Sequence, residues 1–129
     1  DLFGGYVSHL LRLLGDQLLQ PQVLRALGRV ALARPDLVRS RVTGRGLSLI
    51  VSLTHSADPQ TRGYAAWLLG SLGLTEAREA VAEIRGQGEE IEIYEEGRII
   101  KKTIGQLATE ALEKLEKIEQ KRQTCSSGI

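Results

Sequence analysis

Two places in the sequence bring serine and histidine together, as nucleophilic catalysis would require. Ser8 is followed directly by His9, and the run 55–58 holds a histidine, a serine and an aspartate. A nucleophile triad needs side chains that converge in space on one proton path, which immediate neighbours in sequence do not provide. We therefore predict no catalytic residue and no enzyme activity.

Metal and redox chemistry have few candidate ligands in this sequence. The 129 residues include two histidines and one cysteine, Cys125. One cysteine can form neither an intrachain disulfide nor a paired zinc site. Gly44-Arg45-Gly46 follows no predicted strand, so it lacks the context of a phosphate-binding loop. We expect no metal ion and no cofactor.

Four side chains are the candidates for contact with a partner. They are Trp67, Arg25, Arg29 and Arg62. Arg25 and Arg29 lie one helical turn apart and could hold a carboxylate or a phosphate together. Trp67 stands between small residues and outside the apolar stripe of its helix, so it is either an exposed hot spot or packs against a neighbouring repeat. Arg62, four residues after Asp58, either supports the helix start, bridges neighbouring repeats or contacts the ligand.

Helical periodicity covers most of the chain and predicts the elements that position these residues. Apolar spacings of three and four residues indicate helices over 6–14, 21–34, 36–53 with a break at 43–46, 59–72, 76–85 and 104–118. The clearest start is Asp58-Pro59, a capping carboxylate followed by a proline at the first helical position. The sequence therefore predicts an all-α fold.

Residues 90–102 interrupt the helical pattern with an alternation of period two. Two alternating runs flank Glu96-Gly97, which indicates a β-hairpin with a two-residue turn. Folding about that turn sets Ile93 opposite Ile100. It also sets oppositely charged residues across from each other on the two strands. We predict one inserted hairpin near 90–102.

The second helix of each predicted pair repeats one apolar stripe. The stripe begins at Val23, Thr61 and Ile104, at intervals of 38 and 43 residues. These intervals lie near the ~40–47-residue period of two-helix solenoid repeats. A single helix pair buries too little surface to be stable, so stacked pairs must share a core. We predict an α-α superhelix of about three helix pairs as one domain over residues 1–122, with 123–129 as a flexible tail.

The run 58–73 carries the most specific pattern of the chain. It contains Asp58-Pro59, Arg62, Ala65-Ala66 and Leu69-Gly70. This pattern resembles the HEAT-like repeat family, in particular the short repeats seen in phycobilin lyases. The resemblance implies a solenoid whose second helices line a concave face, on which another protein is bound. It implies a non-catalytic interaction or scaffolding module, although the hairpin departs from the family's short intrarepeat loop.

Charge distribution leaves other interpretations open. Residues 1–62 carry a net charge of +4, with eight arginines, whereas residues 63–129 carry −3. The arginine-rich half supports binding to DNA or RNA backbones as an alternative. A bilin-lyase-like enzyme component is a third interpretation, resting on the resemblance alone. No apolar run reaches the ~20 residues of a membrane span, and the lone cysteine fits the cytoplasm. The identity of the partner, the oligomeric state and the presence of further repeats before Asp1 stay open.

Overall fold

The computed structural model describes residues 2–95 and 97–127, and helices form most of them. The elements are α1 (Leu2–Leu13), α2 (Gln20–Ala33), α3 (Pro35–Arg41), α4 (Gly44–Leu53), α5 (Pro59–Leu72), α6 (Arg78–Glu83), β1 (Glu90–Glu95), β2 (Arg98–Thr103) and α7 (Ile104–Ser127). A 3-10 turn, Thr75–Ala77, leads into α6. The predicted all-α class with one inserted hairpin is confirmed. Residues 128 and 129 of the predicted tail lie outside the described residues.

The helices form two layers with a shared core. Helix α5 contacts α2 on one side and α7 on the other, so these three second helices form one row. The first helices pack behind them, α1 on α2, α4 on α5 and α6 on α7. Leucines from every member of the row are fully buried: Leu24, Leu27, Leu68, Leu69, Leu72, Leu107 and Leu115. The predicted α-α superhelix is therefore confirmed.

Local signals fix both ends of α5. The Asp58 carboxylate accepts hydrogen bonds from the Thr61 backbone N–H at 3.3 Å and from the Thr61 hydroxyl at 2.7 Å. Pro59 occupies the first turn, where its missing N–H leaves no bond unmade. Gly73 ends the helix in the left-handed conformation, with φ of 68°, which glycine adopts without steric cost. The predicted bounds of this helix are confirmed.

A break separates α3 from α4 at residues 42 and 43, so it overlaps the predicted break at 43–46 only at Thr43, and residues 44–46 are the first turn of α4. Helix α3 ends at Arg41, and α4 begins at Gly44 with φ of 54°. Val42 between them is fully buried, so the bend is anchored in the core. The segment made of α3 and α4 therefore serves as the first half of the second repeat.

The hairpin has the predicted register. Ile93 lies opposite Ile100, and Glu95 lies opposite Arg98. Glu96, the first residue of the predicted turn, lies outside the described residues. Strand β1 turns its apolar side chains inward, and Ile93 joins the core. The hairpin is therefore part of the folded domain.

Candidate functional site

Glycines set the spacing of the row formed by α2, α5 and α7. A Cβ atom added to Gly70 of α5 would lie 2.6 Å from both Cα and Cβ of Ala111 on α7. On the other side of α5, Gly28 of α2 receives the ring of Trp67. Carbon atoms in contact normally stay ~3.5–4.0 Å apart, so larger residues at either glycine would separate the helices. The row is consequently close-packed, with no gap between neighbouring helices at these points.

Trp67 packs against the adjacent repeat and keeps part of its ring accessible. Its six-membered ring covers Gly28, and it meets Tyr64 edge-on, with ring centroids 6.2 Å apart and planes at 71°. The small residues beside it were expected to leave room for a partner. Instead, Ala66 is fully buried and Gly70 is filled by α7. At Trp67 the accessible surface is therefore limited to the half-buried ring itself.

Arg25 and Arg29 occupy exposed positions on α2. Arg25 lines a small cavity of about 180 Å³ where α2, α5 and the hairpin meet. The other lining residues are Gln60, Tyr64, Glu92, Ile93 and Ile99. Arg29 follows one turn later on the same side of α2. The structure thus brings Arg25, Arg29 and Trp67 to one surface, which spans the first and second repeats.

Arg62 has a different environment. Its side chain is 15% exposed, donates from Nη1 to the Ser56 carbonyl at 3.3 Å, and forms an ion pair with Glu89. These contacts join α5 to the loop before it and to the segment that precedes β1. The structure therefore places Arg62 in a bridging role and does not bring it together with Arg25, Arg29 and Trp67.

The hairpin covers the first half of α5 on the same side as the surface that carries Arg25, Arg29 and Trp67. Ile91 of β1 is 4% exposed and rests on Gly63. The Gln60 amide donates to the Glu92 carbonyl at 2.5 Å, and the Tyr64 hydroxyl donates to the same oxygen at 3.3 Å. The cavity beside Arg25 exists because β1 is held at this place. The sequence predicted the hairpin but not its seat on α5, and Gln60 was not recognised as a functional candidate.

The exposure of Ile99 was also not predicted, although the alternation of its strand indicates it. Successive strand residues point to opposite faces, so the alternation that turns Ile100 inward turns Ile99 outward. Ile99 is 67% exposed and lines the cavity beside Arg25. It adds an apolar contact to an otherwise polar rim.

The serine–histidine neighbours are not arranged for catalysis. His55 Nε2 lies 2.6 Å from a Glu83 carboxylate oxygen, and its Nδ1 lies 3.0 Å from the Thr54 hydroxyl. The Ser56 hydroxyl instead accepts from the Asp58 backbone N–H at 3.2 Å. A base must lie within hydrogen-bond reach of the nucleophile that it activates. Within the residues that the structure describes, His55 therefore forms no hydrogen bond with the Ser56 hydroxyl.

A larger cavity of about 540 Å³ lies at the start of α7. Lys102 and Glu110 on its wall form an ion pair, with Nζ to carboxylate distances of 2.5 and 2.8 Å. Thr103 and Gln106 cap the helix reciprocally, at 2.8 and 3.0 Å, as their spacing predicts. These four side chains on the cavity wall are therefore engaged with one another.

Within 2–95 and 97–127, no group of three or more His, Cys, Asp or Glu side chains could hold a metal ion. In the same ranges, no helix is both long and apolar enough to cross a membrane.

Comparison with protein families gives one match. A family model described as HEAT-like repeat matches residues 18–72, the segment from just before α2 to the end of α5. The match includes α2, the second helix of the first repeat, whose sequence follows the family pattern only loosely, and it ends before the hairpin. Comparison with curated proteins and with solved structures gives no match.

Proposed function

We propose that this domain binds another protein, because residues 18–72 match the HEAT-like repeat family model and HEAT-like repeats generally mediate protein–protein interaction or scaffolding. The proposed binding surface is the outward side of the row α2, α5 and α7, called the concave face below. Its residues are Arg25, Arg29, Leu32, Trp67, Ile99, Lys114 and Lys117. The domain acts without a cofactor and without catalysis, in keeping with a family that is typically non-catalytic.

One observation carries this proposal. A half-buried tryptophan and two exposed arginines share a surface that two successive repeats build together. Tryptophan and arginine are the side chains most often found at binding hot spots, where a few residues supply most of the binding energy. Trp67 is already held by Gly28 and Tyr64, so a partner would meet a rigid ring. A rigid anchor loses little conformational entropy on binding.

Arg62 contributes to the proposed function indirectly. Its bonds to Ser56 and Glu89 keep the start of α5 in place beside the hairpin, and the hairpin forms one wall of the Arg25 cavity. We propose Arg25, Arg29 and Trp67 as direct contacts and Arg62 as a positioning residue. The cytoplasm is the proposed compartment, because the single cysteine gives the chain no intrachain disulfide.

Affinity capture with matched variants tests the proposal. The immobilised wild-type chain is compared with Trp67→Ala and with Arg25→Ala/Arg29→Ala. The control is Arg12→Ala/Arg45→Ala, which removes two exposed arginines from α1 and α4 in the other layer. We expect the control to retain the partner proteins of the wild type and both concave-face variants to lose them by about tenfold, the effect of removing a hot spot.

Two results would contradict the proposal. If the concave-face variants recover the same proteins in the same amounts as wild type, the concave face is not the binding surface. If nuclease treatment abolishes capture and the purified chain binds duplex DNA or RNA with steep salt dependence, the nucleic-acid alternative replaces it. Circular dichroism of each variant separates loss of binding from loss of fold, and the double arginine variant, whose sites are exposed, remains informative if Trp67→Ala unfolds.

A further inference from the structure

The two helices that dominate the concave face carry charge of one sign. Within α2 and α5 there are three arginines and no aspartate or glutamate. Two of these arginines, Arg25 and Arg29, are exposed, whereas Arg62 is engaged with Glu89. The α2 side of the surface beside Trp67 therefore carries two exposed arginines and no acidic residue of α2 or α5. Such a surface attracts acidic partners and disfavours basic ones.

Helix α7 extends the positive charge to the other side of the row. Glu110 faces the hairpin, and its charge is paired with Lys102. Lys114 and Lys117 follow Glu110 by four and seven residues, which places them on the same side of the helix one and two turns later. Both lysines are exposed. Glu113, also exposed, is the acidic neighbour on this helix and lies nearer its outer side.

The cavity beside Arg25 has the size of a side chain. Pockets for small-molecule ligands commonly enclose ~300–1,000 Å³, whereas this cavity encloses about 180 Å³. Its polar wall includes the Arg25 guanidinium, a charged donor, beside the Gln60 amide and the Tyr64 hydroxyl, which both donate to the Glu92 carbonyl. Glu92 is the one acidic residue that lines it, and its backbone carbonyl already accepts from Gln60 and Tyr64. A carboxylate entering here would meet a charged donor.

Apolar side chains stand on both sides of the arginines. Ile99 borders the cavity and is 67% exposed, and Leu32 on α2 is 72% exposed. Leu32 follows Arg25 by seven residues, so the two lie about two helical turns, or ~10 Å, apart on one side of α2. From Ile99 to Leu32, the exposed side chains of the concave face are therefore apolar, then basic, then apolar.

We infer that the concave face binds an acidic segment of a partner protein. An Asp or Glu side chain of that segment enters the Arg25 cavity, a second carboxylate pairs with Arg29, and apolar side chains on either side cover Ile99 and Leu32. Arg25 and Arg29 have other interactions within the chain, which the incoming carboxylates join or replace. This inference rests on the proposed function, because it assumes that the partner is a protein held on this face.

Selection from a display library of short random peptides on the immobilised wild-type chain tests the inference. We expect the enriched peptides to be rich in Asp and Glu, with an apolar residue on each side of the acidic positions. A synthetic copy of an enriched peptide should bind Arg25→Ala/Arg29→Ala about tenfold more weakly, because charge-assisted hydrogen bonds are lost. It should bind the control Arg12→Ala/Arg45→Ala as it binds wild type.

Charge reversal makes the test specific. The variant Arg25→Glu/Arg29→Glu should reject the acidic peptide and bind a copy in which each acidic residue is replaced by lysine. Enriched peptides without an acidic excess that still lose binding in Trp67→Ala would overturn the inference and leave the proposed function intact. Acidic peptides that bind all variants equally would overturn both. Duplex DNA that displaces the peptide at low salt and binds more tightly would overturn the inference in favour of a nucleic-acid surface.

Discussion

Replacing Gly70 with alanine tests the closest approach of two helices in the row. The added Cβ would lie 2.6 Å from Cα and Cβ of Ala111, and 3.5 Å from its carbonyl carbon. Contacting carbons prefer ~3.5–4.0 Å, so α5 and α7 must separate by about 1 Å. No rotamer change relieves the overlap, because one of the two nearest atoms belongs to the backbone of α7.

Two opposing effects determine the result. Alanine in place of glycine inside a helix stabilises it by ~1 kcal/mol, because glycine loses more backbone entropy on folding. Overpacking a well-packed core costs ~1–3 kcal/mol. Since α5 is held on its other side by α2, a shift away from α7 disturbs that contact as well. We expect Gly70→Ala to lower the free energy of unfolding by about 1 kcal/mol net.

The matched control is Gly5→Ala. Gly5 also lies inside a helix, but it is exposed and an added Cβ would meet no atom within 4 Å. Only the helix-propensity effect remains, so this variant should be more stable than wild type by up to ~1 kcal/mol. Urea unfolding followed by circular dichroism, with unchanged m-values, measures both differences. If Gly70→Ala stabilises the protein as much as Gly5→Ala does, α5 and α7 do not meet at Gly70.

Four further substitutions probe other contacts. Gly28→Ala should displace Trp67, the single tryptophan, and shift its fluorescence emission to longer wavelength; unchanged emission would show that the ring does not rest there. Asp58→Ala should cost ~1 kcal/mol in urea unfolding through loss of the α5 cap, and no loss would exclude that role. Ile91→Ala should cost ~2–4 kcal/mol, whereas Ile99→Ala should stay within ~0.5 kcal/mol of wild type, because their exposures are 4% and 67%. Equal effects of these last two would mean that the hairpin is not seated on the core.

Local rules made the individual elements predictable from the sequence. The cap at Asp58, the capping box at Thr103 and the alternation around Ile93 each depend on residues within a few positions of one another. Cap bonds and strand pairing about a short turn involve little of the rest of the chain. The bounds of α5, the start of α7 and the hairpin register were predictable for this reason, whereas α1 begins four residues earlier and α7 ends nine residues later than the apolar spacing predicts.

The environment of Trp67 was not predictable in the same way. Assigning a core stripe assumes that a helix buries one face. Helix α5 has neighbours on nearly every side: α2, α4, α7 and strand β1. A residue outside the main stripe of such a helix can still face another element, and Gly28, which receives the Trp67 ring, lies in the preceding repeat. Its burial therefore depends on how repeats stack, which spacing within α5 does not encode.

The seat of the hairpin limits where a partner can bind. By covering Gly63 and bonding to Gln60 and Tyr64, β1 removes the first half of α5 from the concave face. What remains accessible runs from the rim of the Arg25 cavity along α2 and past the half-buried ring of Trp67. A uniform concave face could bind a ligand along its whole length. Here the hairpin forms a wall at one end of the accessible part. Because the cavity lies against that wall, a partner residue entering it in the proposed complex would fix the register of the partner residues bound beyond it, which would make the hairpin a determinant of specificity.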